Sequence, residues 1–226
     1  MRFFRDVATI AHKDLRAELR TKEALNASIA FALVILVLFS FAFDPDPDEV
    51  HQFSGGFLWI VFSFAGALTL NRSLARELVN DCLDTLLASP VPAAAIFLGK
   101  VVANFALLAA VEIVALPVFG ILYSVDLRAH LVELPLVLAL GTWALSVIGT
   151  MFSALTVNLR LREVMLPTLV YPLLIPALIA SMILTTDLIG GEPLGAGNSL
   201  WLKVLGLYDL VFTSLAMFFI DTVLVG

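Results

Sequence analysis

The sequence predicts an all-α, polytopic membrane protein with six transmembrane helices, and three observations support this fold class. The chain has 226 residues, of which 61% are hydrophobic and only 14% are charged, whereas soluble domains are about 45–50% apolar and about 25% charged. The apolar residues fall into long runs, and a run of about 20 residues can cross a bilayer as a helix. The charged residues collect between these runs. Lipid is therefore the predicted solvent for most of the chain.

Six apolar runs are predicted to span the membrane. Four of them contain no charged residue, the third contains only Glu112, and the sixth contains Asp209 and Asp221, each nearer an end than the centre. The predicted spans are 24–43, 52–71, 101–125, 134–159, 164–186 and 204–226. The connections are too short for a separate soluble domain, so residues 1–226 are predicted to form a single domain.

The charged residues also predict the orientation, with both termini in the cytoplasm. Segments 1–23, 72–100 and 160–163 hold eleven of the 13 basic residues, and the opposite connections carry mostly Asp and Glu. Basic residues in short loops stay on the cytoplasmic side. The net charge of −6, with no basic patch outside these membrane-flanking segments, excludes a nucleic-acid partner.

Residues 1–23 are predicted to form an N-terminal amphipathic helix. Its apolar residues are spaced three and four apart and so share one broad helical face. They are Phe3, Phe4, Val7, Ile10, Ala11, Leu15 and Leu19. The basic flank favours an interfacial helix that lies on the cytoplasmic membrane surface. The alternative is a soluble helix packed on a neighbouring loop.

Segment 72–100 is predicted to contain a short cytoplasmic helix with two different faces. Glu77, Asp81 and Asp84 follow the spacing i, i+4, i+7 and form an acidic stripe. An apolar set, Leu74, Leu78, Cys82 and Leu86, lies on another face. The helix ends at the turn 89–92, because proline lacks an amide and disfavours helix in the residue before it. The helix either docks a partner or lies on the membrane with its charges solvated.

Known catalytic motifs are absent, so the chain is not predicted to be an enzyme. It has no phosphate-binding loop, no H-E-x-x-H motif and no nucleophile elbow. Three scattered histidines without neighbouring ligands predict no metal site. ATP hydrolysis must therefore come from another protein if the chain needs it.

Two intramembrane features remain open to more than one interpretation. Glu112 lies within the third span, where a carboxyl group indicates either a polar pathway or a hydrogen bond that packs two helices. Pro167, Pro172 and Pro176 punctuate the fifth span, which predicts a kinked or partly unwound helix. That helix is either a moving element or simply a bent one.

An ordered series of short motifs along the chain resembles the B subunits of the haem exporter of cytochrome c maturation, which are ABC-2-type permeases of the CcmB family. The motifs are residues 22–25, 58–60, 71–77, 86–92, 96–100, 160–163, 166–167 and 171–173 with Pro176. None is catalytic, and their specificity lies in their order and spacing over nearly the whole chain.

The resemblance implies a permease that couples to a separate ATPase subunit, normally with two copies of each. It implies further partners as well: the haem-handling C and D subunits and a periplasmic haem chaperone. The implied location is the inner membrane of a bacterium. The candidate coupling residues, in a cytoplasmic coupling helix, are Arg72, Arg76, Glu77, Asp81, Asp84, Ser89 and Pro90.

The resemblance also sets the expected role of haem. The tryptophan-rich haem-binding motif of the C subunit is absent, so haem is expected as a transported or handled ligand and not as a bound cofactor. The complex is expected either to export haem or to release the haem-loaded periplasmic chaperone. Two alternatives remain: a related permease that exports a lipid, drug or polysaccharide, and a membrane scaffold that transports nothing.

Overall fold

A computed structural model describes the backbone of residues 2–42, 47–73, 90–125, 127, 132–156, 162–195 and 197–225. In these ranges the chain forms seven helices and no strand. They are α1 (Arg2–Thr21), α2 (Glu23–Ala42), α3 (Pro47–Ser73), α4 (Ala93–Leu122), α5 (Glu133–Thr156), α6 (Arg162–Ile189) and α7 (Ser199–Val225). Helices α2 to α7 each contain an apolar stretch long enough to cross a membrane. The predicted all-α fold with six spans is confirmed.

A tight junction at Lys22 joins α1 to α2. Lys22 adopts a left-handed backbone conformation with φ of 55°, and its amide donates to the Glu18 carbonyl over 2.6 Å, which closes the last turn of α1. The Glu18 carboxylate then accepts a hydrogen bond of 2.9 Å from the amide of Leu25 in the first turn of α2. Because a free amide at a helix start needs an acceptor, this buried carboxylate stabilises the start of α2 and fixes how α1 leads into it.

Helix α1 packs against the first turns of α4. Val7, Ile10 and Ala11 are buried in this contact. Gly99 of α4 permits the close approach, because a Cβ atom there would lie 2.8 Å from the Cβ atom of Ile10. Asp14 forms an ion pair of 3.2 Å with Lys100. Within the described chain, α1 therefore packs on a membrane helix, a partner that neither sequence interpretation included.

Helix α4 begins at Ala93, eight residues before the predicted start of the third span at residue 101. Lys100 ended the apolar run in the sequence, yet its side chain is only 2% exposed because Asp14 neutralises it within the helix packing. Residues 93–100 of the predicted coupling segment are therefore the first turns of α4, which corrects the boundary of that segment.

The last span also begins earlier, at Ser199 and not at residue 204. Lys203 ended the run in the sequence, but it is exposed in the first turns of α7. Asp209 now lies ten residues from the start of the helix, or about 15 Å along its axis. This places Asp209 closer to the middle of helix α7 than to either end.

Helix α6 is continuous through its three prolines. It runs from Arg162 to Ile189 without a break in the helical backbone, so the predicted partial unwinding is wrong, and the kink that the prolines also predict stays a prediction. Tyrosine side chains join this helix to its neighbours. Tyr171 donates to the Ser63 carbonyl of α3 over 3.0 Å, and Tyr208 of α7 donates to the Leu173 carbonyl of α6 over 2.9 Å.

Helix α5 lies at the centre of the bundle and packs against α3, α4, α6 and α7. Two of its glycines accept large side chains from α3. A Cβ atom at Gly141 would overlap the indole of Trp59, and one at Gly149 would overlap the side chain of Leu70. Small residues allow membrane helices to approach closely, so these two glycines determine how α3 lies against α5.

Candidate functional site: a buried polar layer and the α3–α4 connection

The predicted coupling residues lie in the connection between α3 and α4. The backbone of Arg72 belongs to the last turn of α3, which ends at Ser73, and Pro90 is exposed in the bend before α4. The other five predicted coupling residues lie outside the described residues: Arg76, Glu77, Asp81, Asp84 and Ser89.

The prolines of this connection determine where α4 begins. Pro92 has an extended backbone, with φ of −59° and ψ of 138°, directly before the helix. Its carbonyl accepts a hydrogen bond of 2.8 Å from the amide of Ala95. Pro90 and Pro92 are exposed while Ala93 is buried. The connection therefore presents rigid prolines to the surface where the bundle ends.

Glu112 of α4 is buried and hydrogen-bonded across the helix interface. Its carboxyl group is 6% exposed and accepts a hydrogen bond from the Thr142 hydroxyl of α5. The next turn of α5 continues the network, since Ser146 donates to the Thr142 carbonyl over 2.7 Å. A carboxyl group at this depth is costly unless it has a partner, and Thr142 supplies one.

A second polar contact joins the same two helices nearer the start of α4. Asn104 donates to the Thr150 hydroxyl over 2.8 Å, and both groups are buried. Polar residues thus face each other along the α4–α5 interface: Lys100, Asn104 and Glu112 on α4, and Thr142, Ser146 and Thr150 on α5. Their spacings of four and eight residues keep each set on one helical face.

Three consecutive residues of α5 contact four different helices at the level of Glu112. Gly141 receives the Trp59 ring of α3 and approaches Ser181 of α6. Thr142 bonds to Glu112 of α4. Trp143 donates from its indole nitrogen to Thr213 of α7 over 3.0 Å.

Trp59 also donates, over 3.0 Å, to Thr185 of α6. We call this set the mid-membrane polar layer; it consists of Trp59, Glu112, Gly141, Thr142, Trp143, Ser181, Thr185 and Thr213.

Asp209 is a further buried carboxyl group whose environment the sequence did not reveal. It is 8% exposed, and neither carboxyl oxygen has a hydrogen-bond partner in the described part of the chain. It lies one turn before Thr213 on the same face of α7. Lys203 set the predicted boundary of the last span. Asp209 was therefore predicted to lie near an end of that span.

The space beside Glu112 is narrow and apolar. A crevice that Glu112 helps to line has no room for a water molecule. Its other lining residues are Phe62, Ala65, Leu108, Val111 and Leu145. Among the described residues, no group of three His, Cys, Asp or Glu side chains could hold a metal ion. In this arrangement Glu112 joins α4 to α5 through its bond with Thr142.

Six apolar helices around a buried, hydrogen-bonded polar layer define a polytopic α-helical membrane protein. Comparison with known sequences identifies its family. The chain belongs to the CcmB protein family, whose sequence model matches residues 5–224. The family resemblance predicted from the ordered motifs is confirmed.

Several bacterial relatives share most of their length with this chain, and each is called "Heme exporter protein B". The relative from Rhodobacter capsulatus is 34% identical over 167 residues, which cover 74% of this chain and 76% of the relative. The relative from Haemophilus influenzae is 32% identical over 170 residues, covering 75% and 76%. The relative from Pseudomonas aeruginosa is 31% identical over 164 residues, covering 73% of each chain.

Proposed function

We propose that the chain is the membrane permease subunit of a haem exporter that acts in cytochrome c maturation. The observation that carries the proposal is the match to the CcmB family over residues 5–224, together with relatives called "Heme exporter protein B". The six spans fit a membrane subunit. A separate ATPase subunit supplies ATP hydrolysis, because the sequence lacks a phosphate-binding loop.

The ATPase subunit docks on the connection between α3 and α4 in this proposal. The connection leaves the bundle at Ser73 and returns through the exposed Pro90 and Pro92. Its acidic stripe, Glu77, Asp81 and Asp84, offers negative charge to a basic surface. Arg72, Arg76 and Ser89 flank the stripe in the sequence. Because α4 begins directly after the turn, a movement of the connection is transmitted to the helix that carries Glu112.

We infer that Glu112 holds the bundle together and does not carry a substrate. Its carboxyl group bonds to Thr142, and the crevice beside it is too narrow for water. The same interface contains the Asn104–Thr150 bond. These contacts favour the packing interpretation of the sequence over the polar-pathway interpretation.

The orientation follows from the same proposal. The bacterial inner membrane is the location, with both termini and the α3–α4 connection in the cytoplasm, since eleven of 13 basic residues then face the cytoplasm. Haem is a handled ligand. Two copies of the chain assemble with the ATPase and the haem-handling C and D subunits, and the complex serves a periplasmic haem chaperone.

Reversing the acidic stripe tests the coupling. The variant Glu77→Lys/Asp81→Lys/Asp84→Lys is expected to lose co-purification of the ATPase and production of holo-cytochrome c, because like charges then face the partner. The control, Asp187→Lys, places one such charge reversal at the other end of the bundle and is expected to keep both. Normal ATPase recovery with the triple variant contradicts docking at this segment.

Loss of the gene tests the export function itself. Its deletion is expected to abolish holo-cytochrome c while leaving apocytochrome synthesis intact. Normal cytochrome c with altered lipid, drug or polysaccharide export favours a related permease with another substrate. A third outcome favours a membrane scaffold: the maturation complex fails to assemble, its ATPase is still present, and no export is lost.

A further inference from the structure

Helix α1 has three distinct faces, and among the residues that the structure describes only one of them is packed against the rest of the chain. The packed face holds Val7, Ile10, Ala11, Asp14 and Glu18 against α4 and the start of α2. The two remaining faces are exposed. One is apolar and the other basic, so their chemistry indicates what covers them.

The apolar exposed face lies beside the packed face. Phe4 is 73% exposed and Leu19 is 56% exposed. Their fifteen-residue separation corresponds to about four helical turns, and Ala8 and Leu15 lie between them on the same side. Apolar side chains with this exposure next to membrane helices fit into the outer edge of the hydrocarbon region.

The basic exposed face comes next around the helix. Arg2, Arg5, Arg16 and Arg20 follow spacings of three, eleven and four residues, which place them on one side. All four side chains are exposed, and none makes an ion pair or hydrogen bond through its guanidinium group within the described part of the chain. Four guanidinium groups on one side of α1 therefore have no partner among the residues that the structure describes.

The acidic residues of α1 do not neutralise this face. The helix has three of them, and two are turned inward. Asp14 pairs with Lys100 of α4, and Glu18 accepts from the amide of Leu25. Because these two carboxylates face the packed side of α1, the basic exposed face keeps an excess of positive charge. An anion beside the membrane is the complementary partner.

We propose that α1 binds the phosphate headgroups of anionic phospholipids. The guanidinium fork of arginine matches phosphate oxygens through paired hydrogen bonds, and Phe4 and Leu19 enter the acyl region beside the bound headgroups. Helix α1 also packs on α4 through Gly99 and Lys100. Anionic lipid bound here therefore anchors the helix on which the first turns of α4 rest.

Lipid titration of the purified full-length chain in detergent tests the proposal. Dioctanoyl phosphatidylglycerol and dioctanoyl phosphatidylcholine are titrated separately, and bound lipid is counted by native mass spectrometry. The wild-type chain is expected to prefer phosphatidylglycerol. Arg5→Gln/Arg16→Gln is expected to weaken phosphatidylglycerol binding about 20-fold, since each basic residue near an anionic surface contributes roughly a fivefold factor. Phosphatidylcholine binding is expected to stay unchanged.

Two further variants keep the test decisive. Lys203→Gln removes one exposed positive charge at the start of α7 and is expected to change phosphatidylglycerol binding less than about twofold. Arg2→Gln/Arg20→Gln repeats the test with the other two arginines if the first variant does not fold. Soluble glycerol phosphate, which lacks acyl chains, is expected not to displace the lipid.

Four results overturn the proposal. Equal binding of the two lipids by the wild-type chain removes the selectivity. Unchanged selectivity in both arginine variants assigns the lipid site elsewhere. Displacement by glycerol phosphate, or loss of a co-purifying protein with unchanged lipid binding, assigns the basic face to a soluble phosphate or to a protein partner.

Discussion

Gly141→Ala is expected to disrupt the centre of the bundle, although it adds a single methyl group. A Cβ atom at this position would lie 2.6 Å from Cζ2 of Trp59 and 2.6 Å from Oγ of Ser181. Neither neighbour can retreat easily, because both are fully buried and the Trp59 indole is held by its hydrogen bond to Thr185. The substitution therefore forces α3 and α6 away from α5.

The expected loss of stability follows from these contacts. Overpacking a well-packed core costs about 1–3 kcal/mol, and breaking the Trp59–Thr185 hydrogen bond adds about 1 kcal/mol. The total of roughly 2–4 kcal/mol corresponds to a fall in Tm of roughly 5–15 °C for a chain of this size. Thermal unfolding of the detergent-solubilised chain, followed by tryptophan fluorescence, measures it.

Gly66→Ala is the matched control for this substitution. Gly66 is also a buried helical glycine, but the nearest atom to its added Cβ would be Cδ2 of Leu108 at 3.6 Å, an ordinary contact. Its Tm is expected to stay within about 2 °C of the wild-type value, since no neighbour has to move. Trp59→Phe in the Gly141→Ala background is expected to recover part of the loss. Equal stability of the two glycine variants refutes the packing assigned to α5.

Substitutions at two more positions test the buried carboxyl groups by the same unfolding measurement. Glu112→Gln is expected to stay within about 1 kcal/mol of wild type because the amide oxygen still accepts from Thr142, whereas Glu112→Ala is expected to lose roughly 2–4 kcal/mol through the lost bond and the cavity. Equal stability of the two variants contradicts the bond. Asp209→Leu is expected to gain about 1–3 kcal/mol, since it removes an unpartnered buried carboxyl group; exposed Asp221→Leu is its control, and a loss of stability in Asp209→Leu reveals a missed partner.

The apolar spans could be predicted from sequence because lipid requires the same feature of each one. The first predicted span, 24–43, differs by one residue at each end from α2. The non-helical backbone of residues 90–92 was also predictable, since proline restricts the backbone wherever it occurs. Both features depend only on local sequence.

The boundaries that failed depend on tertiary contacts. Lys100 ended the predicted third span, although Asp14 of α1 neutralises it inside the fold. No local pattern reveals that pairing, because it joins residues 86 positions apart. The start of α7 was misplaced for a different reason, which involves no tertiary contact. Lys203 is exposed in the first turns of the helix, where a lysine side chain reaches the polar interface and does not end the helix.

The polar pairs required knowledge of helix register. Glu112 was identifiable as a buried carboxyl group, but its partner depends on how far α4 is shifted along α5. That shift is determined by shape, through the approach of Trp59 to Gly141 and of Leu70 to Gly149. Asn104 and Thr150 meet for the same reason. One sequence alone carries no signal for these contacts.

Affinity purification of the chain from its native membrane, followed by partner identification and an ATPase assay, tests the proposed function most directly. The account predicts recovery of a separate ATPase together with haem-handling subunits, and ATP hydrolysis that depends on that ATPase. Recovery of an ATPase with partners unrelated to haem, or of no ATPase at all, contradicts a permease of cytochrome c maturation.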